Sequence, residues 1–367
     1  MLRKIHDQRF ITSASSRGSV SRHPNDVTPH WLTARIKDHG VLSSGAVTKV
    51  TAHPTNDWNM ARSARVAVVY DGDANPDAPR SLFVKIMETP DPYADFIPGE
   101  IAFYNEPLPD TLPLAICYGA ARDPVTGMTH VLLEDLSETH VQSQWQLPPS
   151  IPRCEAAVTA LARIHGYWWK GEVSASDEFG IDRRLKLETF ASHLPNLVAE
   201  FLDFVGEAVP EDRQEIVRSV CRQLPDLLDR RLFGGKPITR NHGDPHFWNI
   251  IFPRDPSRHG CVFIDWEDWQ YNPPAFDLAY MIALHWYPDH RARHEEHSLR
   301  VYHNALLGEI SGGYSWDDLM ADYRLSHLHN FIVPLFQLNM GEPGEGWRPH
   351  VERLFLSYDH LDCDALL

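Results

Sequence analysis

Two short stretches hold carboxylates where apolar residues would be expected. The first is NHGDPHFWNIIF, Asn241 to Phe252, and the second is CVFIDWEDW, Cys261 to Trp269. A carboxylate in a segment that reads as buried is costly unless it is paired, hydrogen-bonded or bound to a cation. Asn249 and Asp265 offer amide and carboxylate oxygens. Those donors suit a hard cation such as Mg²⁺, which keeps waters and takes phosphate oxygens for the rest of its shell. Asp244, on the loop before Asn249, is then free to act as a base. No cysteine or paired histidine joins them, which disfavours zinc. His242 is expected to be structural, because a buried imidazole readily bonds loop carbonyls.

A third feature lies upstream. LFVKIM places Lys85 alone in an apolar strand, where it must find an anion. PGEIAFY puts Glu100 on the helix that follows, positioned to pair with it. A strand lysine held by a helix glutamate, then Asp–x4–Asn and a later Asp, is the arrangement used for phosphoryl transfer from ATP. Two rival readings exist. A nucleotide-binding regulatory module would need no transfer step, but a degenerate copy usually loses one of these residues. A metal-dependent phosphoesterase would want more carboxylate or histidine ligands than this loop offers.

The elements that must position these residues follow from local pattern. TPHWLTARIKDHG reads as a helix with Thr28 as N-cap, Pro29 at the first position and Gly40 past the end. From Val47 to Met87 the pattern is β-rich, with Ala64–Tyr70 and Ser81–Met87 flanking a turn-rich loop. GEIAFYNEPL reads as a helix, and Thr129–Leu136 as a strand. After the Pro-rich QLPPSIP, helical periodicity dominates, with segments at RCEAAVTALARIHGYWW, Leu185–Val205 and Glu211–Leu232. The expected organisation is an N-terminal tail (1–27), a β-rich lobe (28–136) and a larger helical lobe (137–367). His290, His294 and His297 recur at helical spacing, which is the pattern of a solvated helix face more often than of a metal site.

Composition narrows the class. The 367 residues are 43% hydrophobic, enough for a sizeable core, and no apolar run is long enough to span a membrane. The formal charge is −16; residues 1–50 carry +5, so the remainder carries −21. That surface repels nucleic acid and anionic lipid, and no obligate protein partner is evident. Five scattered cysteines without a CxxC pair fit a reducing, cytoplasmic compartment. The first two dozen residues are Arg- and Ser-rich, a composition shared by loose tails and mitochondrial targeting segments. A loose tail is the expectation.

Six motifs in order resemble the aminoglycoside phosphotransferase and choline kinase superfamily: LFVKIM, GEIAFYNE, VLLEDL, ALARIHGYWW, NHGDPHFWNIIF and VFIDWEDWQYNPPAFDLAY. Within it they look most like the ecdysteroid-kinase-like small-molecule phosphotransferases. The resemblance implies an α+β, protein-kinase-like two-lobe fold, ATP and Mg²⁺ as cofactors, and a small-molecule hydroxyl acceptor: a bulky alcohol, aminosugar or amino alcohol. It implies Asp244 as catalytic base and Asn249 and Asp265 as Mg²⁺ ligands. Lys85 would meet the α- and β-phosphates with Glu100 as its ion-pair partner. Glu134, Asp135 and Leu136 would form the connector against adenine, and His242 and Asp277 would support the catalytic loop. Gly243 stands where protein kinases have an arginine, and Asp265-Trp266-Glu267 lacks the usual glycine. Both departures fit small-molecule kinases. No G-x-G-x-x-G occurs in the first lobe, so Asn56, Asn59 and Ser63 are the candidates for covering the phosphates.

Overall fold

The computed structural model describes residues 23–58, 61–87, 99–123, 126–143, 149–170, 182–255, 257–258, 260–339 and 347–367. The chain forms two compact units. The first runs to Val141 and takes back Phe263–Asp268; the second holds Gln142–Val262 and Trp269–Leu367.

The first unit opens with helix α1 (Pro29–Asp38). The Thr28 hydroxyl accepts the Trp31 N–H at 3.2 Å, and Pro29 takes a position whose N–H would be unsatisfied anyway. Strands β1 (Val47–Trp58), β2 (Ala61–Tyr70) and β3 (Ser81–Met87) follow, then helix α2 (Gly99–Tyr104) and strands β4 (Cys117–Arg122) and β5 (Thr129–Glu134). The five strands make an antiparallel sheet in the order β1-β2-β3-β5-β4. Pro54 is tolerated because β1 is an edge strand. Strand parity decides what each face does. Leu82, Val84 and Ile86 of β3 are fully buried with Leu32 and Ile36 of α1. Lys85 therefore points to the opposite face.

Short strands β6 (His140–Gln142) and, later, β9 (Val262–Phe263) span the points at which the chain passes from one unit to the other. The second unit is mainly helical: α3 (Ile151–Tyr167), α4 (Arg183–Val205) and α5 (Glu211–Leu232), then strands β7 (Thr239–Asn241), β8 (Ile250–Pro253) and β10 (Gln270–Asn272). A short helix α6 (Ala275–Leu278) runs into a π-helical turn, Ala279–Leu284. Helices α7 (Pro288–Glu309), α8 (Trp316–His329), α9 (Ile332–Asn339) and α10 (Trp347–His360) complete it. One core joins α4, α5, α8, α9 and α10 through residues such as Phe201, Leu224, Leu328, Leu335 and Leu354. Strands β7 and β10 pair antiparallel, with Asn241 opposite Gln270. Helices α3 and α7 approach closely at Gly166, where a Cβ would lie 2.3 Å from that of Glu309. No helix among the described residues is long and apolar enough to cross a membrane.

Buried neutral imidazoles make both units sensitive to acid. His130 on β5 is 2% exposed, lies edge-on to Trp31 at 5.0 Å and has no hydrogen bond among the described residues. Burial, with Arg35 nearby, lowers it to about 4, and burial lowers His327 to about 3. An unfolded histidine takes up its proton near pH ~6.5. Stability is therefore complete above that pH and is lost as pH falls toward the folded values, because over that window only the unfolded chain binds the proton. Each such group costs roughly 2 kcal/mol at a pH of about 5. Urea midpoints should drop steeply between about pH 7.5 and about pH 5, and His130→Leu should flatten the drop.

Candidate active site

In the first unit the sheet presents Lys85 to α2. Its Nζ lies 2.9 Å from Glu100 and 2.5 Å from Asp265. The lysine is 16% exposed, Glu100 only 2%, and Asp265 43%. Burial alone would lower the Lys85 pKa, but Glu100 and Asp265, with Glu267 behind them, raise it above the usual lysine range. Its charge is thus secure, and it is the compensation that a carboxylate as buried as Glu100 requires. Asp265 sits at φ 67, a left-handed conformation that aspartate tolerates better than most residues. Trp266 holds it there. That ring is fully buried and stacks on Phe103 of α2 at 4.1 Å, while the Phe263 N–H bonds to the Pro113 carbonyl at 3.0 Å.

The connector after β5 is tied down on three sides. The Glu134 carboxylate accepts the Ile116 N–H, and the Glu134 N–H bonds to the Ile116 carbonyl, each at 2.9 Å. Asp135 accepts the Ser81 hydroxyl at 2.6 Å and the Ser137 N–H at 3.0 Å; burial opposes its charge, but these bonds hold its carboxyl below the usual range. The Leu136 carbonyl accepts the His140 N–H at 2.8 Å, and the Leu136 N–H has no partner among the described residues. Ser63 pairs with Lys85 across β2 and β3, and its hydroxyl meets that of Thr55 at 2.7 Å. Asn59 and the Asn56 side chain lie outside the described residues.

In the second unit the loop after β7 carries His242, Asp244 and Asn249, and Asp277 of α6 holds it. The Asp277 carboxylate accepts the His242 N–H at 2.7 Å and the Gly243 N–H at 3.0 Å, and its Oδ2 lies 3.1 Å from His165 Nε2. The His165 ring meets the Tyr302 hydroxyl through Nδ1 at 2.7 Å. His242 Nδ1 accepts the Asp244 N–H at 3.3 Å. Gly243 has φ 88, so a side chain there would be strained. Asp244 Oδ2 accepts from Asn249 Nδ2 at 3.1 Å and lies 3.2 Å from His246 Nε2. Burial would raise the Asp244 pKa, but bonds from His246 and Tyr280 hold the carboxyl below its usual range. Asn249 Nδ2 also donates to the Asp244 carbonyl at 2.9 Å. Its nitrogen end is committed, which leaves Oδ1 as the end able to accept from or ligate another group.

Lys85, Glu100 and Asp265 thus meet in one unit, and Asp244, Asn249, His242 and Asp277 in the other. Sequence reasoning missed His165, His246, Tyr280 and Glu267. His246 lies two residues from Asp244 in the same motif, and that spacing was the available signal. His165 and Tyr280 reach their partners only through helix packing. The His290 and His294 rings lie tilted to each other with centroids 4.8 Å apart, and His297 pairs with Glu155 at 2.6 Å. Among the described residues no group of three His, Cys, Asp or Glu could hold a metal ion.

The sequence matches the phosphotransferase enzyme family over residues 63–313, more than half of the chain. The chain belongs to the phosphotransferase enzyme family. It is a small-molecule kinase of the superfamily that the motifs resemble. Its likeness to ecdysteroid-kinase-like members rests on the motifs alone. No curated protein matches it. An aminoglycoside phosphotransferase candidate from Ralstonia eutropha JMP134 shares the kinase-like α+β fold, with a TM-score of 0.51 and 15% identity over 90% of this chain and 97% of that one. Choline kinase LicA of Streptococcus pneumoniae is 17% identical, over 86% of this chain and 94% of that one, with a TM-score of 0.47. A choline/ethanolamine kinase family protein of Mesorhizobium loti is 15% identical, over 85% and 87%, with the same score.

Removing the Asp277 carboxylate takes the acceptor from two backbone N–H groups and the partner from His165 Nε2. Asp277→Ala should lower stability by about 3–5 kcal/mol, the cost of breaking a buried charged network. Urea unfolding followed by circular dichroism measures it; a loss below about 1 kcal/mol would show that the loop is held by other contacts.

Proposed function

We propose that this phosphotransferase moves the γ-phosphate of ATP to a hydroxyl of a small molecule, a bulky alcohol, aminosugar or amino alcohol, with Mg²⁺ as cofactor. The observation that carries the reading is Lys85 held between Glu100 and Asp265. A lysine fixed in this way is a rigid anchor for the α- and β-phosphates. The Leu136 N–H, without a partner among the described residues and on a connector tied by Glu134 and Asp135, is a donor suited to an adenine nitrogen. Ser63, beside Lys85 on the sheet, would help to cover the same phosphates. Five free cysteines fit the reducing compartment in which ATP is abundant, and we assign the protein to the cytoplasm.

Asn249 and Asp265 would hold Mg²⁺. The fit is chemical: the Asn249 nitrogen is committed to Asp244, leaving its Oδ1, and Asp265 has no described partner but Lys85. Oxygen donors of this kind, few in number, suit an ion that fills its shell with phosphate oxygens and water. When bound, it neutralises charge that develops on the transferred group. Asp244 orients the acceptor hydroxyl. The acceptor oxygen bonds to the γ-phosphorus, the bond to the β–γ bridging oxygen breaks, and the hydroxyl proton passes to Asp244 as ADP leaves. Asp244 is ionised at neutral pH, so it contributes orientation first and proton acceptance late, as a loose transition state allows.

The test is a panel of hydroxyl compounds with ATP and Mg²⁺, read as phosphoryl-sized mass gain and matching ADP release. Nucleotide binding without either would leave a binding module instead. Asp244→Asn should cut kcat by roughly 10²–10⁴ while nucleotide still binds. Asp265→Ala should remove the Mg²⁺-dependent part of nucleotide affinity; unchanged affinity in that variant would exclude it as a ligand.

A further inference from the structure

Asp244 is gripped by more than its own loop. Asn249 Nδ2 and His246 Nε2 both contact its Oδ2, and the Tyr280 hydroxyl bonds to the same carboxylate. Because the ionised carboxylate only accepts, His246 presents Nε2–H to it. An ionised carboxylate has about four lone-pair sites. Among the described residues three protein donors take three of them, which leaves one for a ligand. The side chain is 29% exposed, so that remaining site is reachable.

Tyr280 reaches Asp244 from an unusual piece of backbone. It is the second residue of the π-helical turn Ala279–Leu284, three residues after Asp277. Such turns insert an extra residue and re-aim the side chains around it. A side chain closes this one: His285 Nδ1 lies 2.9 Å from the Tyr280 carbonyl. A carbonyl only accepts, so the His285 proton is on Nδ1. The His285 ring is packed against Tyr280 at 4.7 Å, His350 at 5.0 Å, His246 at 5.7 Å and Trp248 at 6.0 Å. Burial keeps it neutral, well below the usual histidine range. One uncharged ring therefore packs against both Tyr280 and His246.

We infer that Tyr280 and His246 are positioning residues for phosphoryl transfer. Together with Asn249 they fix the Asp244 carboxylate so that its one remaining lone pair faces the acceptor hydroxyl, and the π-turn closed by His285 brings Tyr280 into place. This rests on the reading of Asp244 as the base. The carboxyl torsion of aspartate is otherwise broad and roughly two-fold. A freely turning carboxylate would lose the alignment on which an in-line attack depends.

The experiment follows ADP release from MgATP, with water as acceptor and with any compound phosphorylated in the panel above. Tyr280→Phe should lower kcat roughly ten- to a hundredfold with KM for ATP and thermal midpoint unchanged. His246→Leu should do the same, and His246→Gln, which keeps an N–H donor, should recover most of the loss. The deciding measurement is made in the Asp244→Asn background, where Tyr280→Phe should have no further effect on kcat, since the group it positions is gone. A kcat within about twofold of the parent in Tyr280→Phe, or an equal loss in the Asp244→Asn background, overturns the inference. Full activity of Asp244→Asn alone instead removes the base itself, and the positioning role with it.

Discussion

The Asp277 carboxylate is the constraint on which the second unit's chemistry depends. It is 1% exposed and accepts two successive backbone N–H groups, from His242 and Gly243. Fixing two adjacent amides sets the direction in which the chain leaves β7, and so where Asp244 points. A buried carboxylate survives only with such partners. His165 and Tyr302 complete its shell, which ties the loop to α3 and α7 at once. The Thr239 hydroxyl, bonded to the His165 carbonyl at 2.6 Å, fastens β7 to the same helix. The loop is thereby referenced to α3 and α7 of the helical unit, as a positioned base requires.

The first unit solves a different electrostatic problem. Glu100, Asp265 and Glu267 surround one ammonium group, so the region around Lys85 carries excess negative charge. Such an arrangement is poor for a phosphate alone and good for a phosphate that arrives with a divalent cation. The left-handed backbone at Asp265 belongs to this device. Strained or sparsely populated conformations persist where surrounding structure over-determines them, and the Phe103–Trp266 stack supplies that determination.

Much of this was legible in the sequence because the signals are local. Thr28 and Pro29 marked the start of α1, and SLFVKIM marked a strand with Lys85 alone among apolar residues. Glu100 as its partner followed from the cost of burying an unpaired ammonium. The β5 strand, expected to Leu136, ends at Glu134, because Asp135 turns aside to accept from Ser81 and Ser137. Asn59, expected to cover the phosphates, lies outside the described residues.

The amino-acid sequence by itself determined the order of elements, the polar residues that must be compensated, and the family of chemistry. Residue type and one-dimensional spacing suffice for those, since helix and strand periods and the desolvation cost of charge act locally. Tertiary structure alone decided which groups compensate them. His165 lies 112 residues from Asp277, and Lys85 lies 180 residues from Asp265. Tyr280 bonds to Asp244 from a π-helical turn that His285 caps, a feature that no local spacing announces. Hydrogen bonds and ion pairs act over a few ångströms of space, and distance along the chain carries no information about those ångströms until the core has packed.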